Sequence, residues 1–93
     1  MIVGILTTQL HLFGINSLKD KQHIVKSIVA RLKSRFNVSV AEVDRNDSKT
    51  IAVIGIAAIA NDRRFVEEQL DKAVSFMRND GRFSLGQIER EIF

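Results

Sequence analysis

Lys19, Lys26 and Lys33 stand seven residues apart. On an α-helix seven residues make two turns less about 20°, so the three ammonium groups form a nearly straight row, about 10.5 Å between neighbours. A row of this kind can track phosphates. It lies in Ser17–Phe36, where Lys19, Lys21, Lys26, Arg31, Lys33 and Arg35 face the single acid Asp20. Six bases against one acid give this segment +5, whereas the whole 93-residue chain carries +3. Solvated helix faces usually mix signs, so a face of one sign points to an anionic partner. The plainer reading is a helix that wets its outer side with lysine, a good helix former.

Arg31 and Arg35 fall toward one border of the apolar face of the same helix. Lys21 falls near its core face, which predicts a packed stem and a head that reaches back to water. The helix start offers free N–H groups beside Lys19 and Lys21, but the Ser17 cap and Asp20 compete for them with any anion. His11 and His23 form neither an H-x₃-H pair nor an H-E-x-x-H motif, and no G-x-S-x-G occurs. Glu67 with Glu68, and Glu89 with Glu91, read better as charged surface faces than as paired catalytic carboxylates. The chain has no cysteine, which removes disulfides, thiolate metal sites and cysteine nucleophiles. The expectation is therefore a protein without catalysis, metal or cofactor.

The elements that must position the basic row follow from apolar periodicity. Ile2 to Phe13 alternates as a strand, with Ile2, Leu6, Leu10 and Leu12 on one face and Val3, Ile5, Thr7, Gln9 and His11 on the other. Ser17 and Asp20 have capping-box spacing, and Leu18, Ile24, Val25, Ile28, Val29, Leu32 and Phe36 make a wide core-facing stripe. Val38–Val43 is a short strand and Arg45–Ser48 a turn. Thr50–Ala60 is long and apolar enough for a buried helix, yet its β-branched content, the turn before it and Gly55 within it favour a central strand. Asn61–Asp62 can cap a second helix, whose core face holds Val66, Leu70, Ala73, Val74 and Met77. Asn79-Asp80-Gly81 ends it, and Phe83–Ile92 reads as a last strand in which Gln87–Glu91 could also be helical.

The order β-α-β-β-α-β predicts one α+β domain over residues 1–93, of the ferredoxin-like pattern, with a four-stranded antiparallel sheet and two helices on one face. The first and third strands are then central. Their second faces are apolar too, with Val3 and Ile5 beside Val53 or Ile54, so something is expected to cover the open face; a second copy is the simplest cover. Uses of this pattern can be tested by residue type. The third strand has no aromatic or charged residue, so base stacking in the manner of RNA-recognition domains is not expected. Phe13-Gly14-Ile15-Asn16 has no arginine for an acylphosphatase-type loop.

The run Ser17-Leu18-Lys19-Asp20-Lys21, then Val25-Lys26-Ser27, then Arg31 through Asp44, resembles the YlxP-like family of small bacterial proteins, a domain of unknown function. Val3-Gly4-Ile5-Leu6, Asn61-Asp62 and Val66-Glu67 resemble it too. The resemblance implies a ferredoxin-like domain in a bacterial cytoplasmic protein, often encoded beside translation and ribosome-maturation factors. It carries over no family activity and no catalytic residues, because the family's function is unknown. The resulting expectation is a cytoplasmic homodimer that binds structured RNA or a ribosomal particle through Lys19, Lys26 and Lys33, with Arg31 and Arg35 as further contacts. The rival is a protein-interaction or small-ligand module working through Val3, Ile5 and Val53. No run approaches the roughly 20 apolar residues of a membrane span.

Overall fold

The computed structural model describes residues 1–93. Its elements are β1 (Ile2–Leu12), α1 (Leu18–Arg35), β2 (Ser39–Asp44), β3 (Ile51–Ala60), α2 (Arg63–Arg78) and β4 (Phe83–Ile92). The strands form one antiparallel sheet in the order β2-β3-β1-β4. Both helices pack on one face, so this is the ferredoxin-like α+β arrangement expected from the element order. Thr50–Ala60 contributes a strand rather than a helix, and Phe83–Ile92 is strand throughout.

Alternation decides which side chains meet the helices. Leu6, Leu10 and Leu12 of β1 and Ala52, Ile54, Ile56 and Ala58 of β3 are buried against them. Val25, Ile28 and Leu32 of α1 and Val66, Leu70, Ala73 and Met77 of α2 close the core from above. Ile54 therefore belongs to the core, and of the two residues expected on the open face only Val53 is there. Register explains this: Val53 pairs with Gln9 and Ile54 with Thr8, and a one-residue step changes the face.

Two bulges shape the open face. On β2, Val43 is the extra residue between Glu42, opposite Ile54, and Asp44, opposite Val53. On β4, Gly86 and Gln87 stand where β1 offers only Gln9, because Leu10 pairs with Leu85 and Thr8 with Ile88.

Local chemistry places the ends of α1. The Ser17 hydroxyl accepts from the Asp20 N–H at 3.1 Å, as a capping box requires. The Asp20 carboxylate accepts from the N–H of Asn16, not of Ser17, at 3.2 Å. At the other end the Phe36 N–H closes on the Leu32 carbonyl, and the next N–H, of Asn37, donates to the Gln69 side-chain carbonyl of α2 at 3.1 Å. Gly14 and Gly81, with φ of 64° and 86°, turn the chain after β1 and after α2.

Candidate nucleic-acid interface

The buried stripe of α1 consists of Lys21, Val25, Ile28 and Leu32. Lys19, Lys26 and Lys33 lie opposite that stripe and are all exposed. None of the three is in an ion pair. His23 and Ala30, also exposed, fall between them on the same side, so no carboxylate interrupts the row.

Lys21 is different, and here the structure corrects the expectation of a head that reaches water. Its side chain is 1% exposed. The ammonium donates to the Arg45 carbonyl at 2.6 Å and lies 3.1 Å from Glu42 Oε2. The Glu42 contact is an ion pair whose alignment is too poor for a hydrogen bond, leaving Oε2 with the ammonium as its sole compensation. Arg45 sits at φ 62°, and its carbonyl also accepts from Ser48 N–H at 3.0 Å. Lys21 thus ties α1 to the β2–β3 turn and is withdrawn from any external anion. Sequence carried the signal: Lys21 sits on the apolar stripe, and Glu42 shares a strand face with Val40.

Arg31 and Arg35 face the flank toward α2. The Arg35 guanidinium carbon lies 4.7 Å from the centroid of the Phe76 ring, which meets Phe36 edge-on at 6.0 Å. This cation–π contact holds Arg35 to the fold. Arg31 is exposed and borders a hollow of about 390 Å³ with Phe76, Asn79, Asp80 and Arg82. A bound anion there would compete with Asp80, which already grips Arg82 through Oδ1 at 2.6 Å and Oδ2 at 2.8 Å. The other reach of Arg82 is to the Ser27 hydroxyl of α1, at 3.3 and 3.4 Å. Sequence reading missed this clamp. The only signal was the D-x-R spacing, which is too common to carry it.

The clamp makes a pH prediction. The side-chain hydrogen bonds from Arg82 hold the Asp80 carboxyl below its ordinary value of 3.8, and burial opposes them. A carboxyl lowered in the folded state contributes stability that is complete above the unfolded value and is lost as pH falls through the folded one. Asp80→Asn is therefore expected to cost about 1–2 kcal/mol at pH 7. In urea melts that cost should shrink steadily below about pH 4. A cost independent of pH would refute the clamp.

The residues assigned to the opposite surface share one face without forming one cluster, since Val53 lies opposite Gln9, well along β1 from Val3 and Ile5. Val3, Ile5 and Val53 share the face of the sheet turned away from the helices. His11 lies there too, its ring against Gly86, where a Cβ would fall 2.7 Å from Nε2. No group of three His, Cys, Asp or Glu side chains is placed to hold a metal ion, and no helix is long and apolar enough to cross a membrane.

A ferredoxin-like α+β domain with a lysine row on the outward face of its first helix is the class that fold and site define. Within it, the chain belongs to the family described as "Protein of unknown function (DUF503)", which matches residues 3–90. It is 30% identical over 91 residues to the uncharacterized protein YlxP of Bacillus subtilis (strain 168), covering 98% of this chain and 94% of that protein. Among solved structures it is similar to a variant of SnoaB, a cofactor-independent oxygenase from Streptomyces nogalater. That likeness has a TM-score of 0.49 and 11% identity, over 99% of this chain and 90% of the other.

Proposed function

We propose that this protein is a non-catalytic binder of structured RNA or of a ribosomal particle, and that Lys19, Lys26 and Lys33 of α1 contact phosphates. The observation that carries the reading is the outward row of three exposed lysines without ion-pair partners. Contacts of this kind give affinity through counterion release and position the protein by backbone shape, without base stacking. Arg31 is exposed but on the flank toward α2, more than about 100° around the helix from the row, so it is a second contact at most; Arg35 is less available still because Phe76 holds it.

The test is co-sedimentation with ribosomal subunits, and filter binding to total RNA, across a salt series. Lys19→Glu, Lys26→Glu and Lys33→Glu together are expected to lower affinity by about 100-fold or more at 0.1 M salt, and to flatten the log–log salt slope by about 2 to 3. Stability should change by less than about 0.5 kcal/mol per site, since all three heads are in water. Unchanged affinity in a folded triple variant would remove α1 from the function.

A further inference from the structure

The open face of the sheet carries two chemistries side by side. Across β2, β3 and the first half of β1 it is apolar: Val43, Ile59 and Ile5 are 54%, 52% and 40% exposed, and only beyond Ile5 does β1 turn polar, with Thr7, Gln9 and His11. A depression of about 300 Å³ lies among Ile5, Ala41, Val43, Gly55 and Ala57. Gly55 forms its floor, and Val43, pushed out by the β2 bulge, overhangs that floor: a Cβ on Gly55 would fall 2.9 Å from Val43 Cγ1.

Alongside, the same face is acidic. Glu89 stands opposite Thr7 and Glu91 opposite Ile5, and Asp44 stands opposite Val53. Asp44 and Glu89 border one hollow of about 180 Å³. None of these three carboxylates is in an ion pair. The one Lys or Arg within the four strands, Arg90, bonds instead to Asp71 and the Glu67 carbonyl of α2. In a chain of net +3 this face is a local reversal of sign.

We propose that the open face docks a protein segment of mixed apolar and basic character. Its aliphatic side chains sit over Gly55, and its Lys or Arg heads face Asp44, Glu89 and Glu91. Charge and size select this occupant over a second copy. A two-fold face-to-face pair sets all three carboxylates of each copy in one interface, with no Lys or Arg on either face to match them and His11 as the one basic side chain there. The apolar part spans about 14 Å over three strands and about 20 Å along them, or roughly 300 Å². Stable dimers bury about 800 Å² on each side, whereas one helix or extended segment is covered by an area of this order. The acidic border also keeps nucleic acid off this face, which leaves α1 free for it.

The experiment uses the full chain and two synthetic amphipathic peptides, one with leucines flanked by lysines and the other identical but with glutamates for the lysines. Fluorescence anisotropy is expected to show the lysine peptide binding about tenfold or more tighter than its counterpart. Glu89→Lys with Glu91→Lys should abolish or invert that preference, and Ile5→Asp or Val43→Asp should weaken the lysine peptide about tenfold. Equal affinity for the two peptides, or indifference to the charge reversal in a folded variant, overturns the proposal. So does sedimentation of the wild-type protein as a dimer that Ile5→Asp splits, because the second copy is then the cover. RNA binding reports on the other side of the molecule: the Glu89/Glu91 variant should keep it, and the triple lysine variant should keep the peptide.

Discussion

Lys21→Met is expected to cost about 3 kcal/mol of stability, lowering Tm by about 15 °C in a chain of this length. The cost arises from what stays behind. Methionine fills the volume of the lysine stem, so packing is nearly conserved. Glu42, 16% exposed and compensated at Oε2 only by the Lys21 ammonium, is then left as an unpaired and largely desolvated carboxylate. The Arg45 carbonyl loses its 2.6 Å donor but keeps Ser48 N–H. Removing both charges, as Lys21→Met with Glu42→Leu, should therefore return stability to within about 1 kcal/mol of wild type. Urea melts of the two singles and the double complete the cycle. A single variant within 1 kcal/mol of wild type would mean that Glu42 turns to water unaided, and that Lys21 is merely a packed stem.

Gly4→Ala should destabilise by about 2 kcal/mol, although alanine is the smallest possible change. A Cβ at Gly4 falls 2.5 Å from Val66 Cγ1 and 2.9 Å from Leu70 Cδ1. Both partners are fully buried in the face that α2 turns to the sheet, and a valine in a helix is held to one rotamer. Relief therefore needs α2 itself to move off β1. The entropy gained by losing a glycine, about 0.4–1 kcal/mol, offsets only part of this. Gly55→Ala is the control. There the Cβ meets Val43 Cγ1 at 2.9 Å, but Val43 is more than half exposed and can rotate outward. Its cost should stay below about 1 kcal/mol. Equal costs at the two positions would show that α2 shifts as easily as a surface side chain.

Much of the fold was legible because the chain repeats one instruction at several levels. In β1, Leu6, Leu10 and Leu12 alternate with Thr7, Gln9 and His11, and the structure buries the first set and turns the second away. In α1 the apolar residues recur at helical spacing, Ser17 caps the start, and the outward row of Lys19, Lys26 and Lys33 follows from the 3.6-residue period alone. Even the two uncertain stretches, Thr50–Ala60 and Phe83–Ile92, resolve once each finds its partner on β1, since strand pairing is a property of two segments and not of one.

Composition, helical period and alternation thus determined by themselves the order of elements, the two faces of β1 and the sign and direction of the outer face of α1. Only the tertiary structure decided which cations are free. Lys21 and Lys19 are two residues apart and chemically identical, but one is folded against Glu42 and the Arg45 carbonyl, and the other faces water. Register made Val53 a surface residue and Ile54 a core residue, and a bulge raised Val43 over Gly55. The acidic border of the open face also needed the fold, because Asp44 and Glu89 are far apart in the chain and come to flank one hollow from the two edges of the sheet only when β2 and β4 take those edges. Local periodicity reports the direction of a side chain from its own axis; what that side chain then meets depends on contacts between distant segments, which no local pattern encodes.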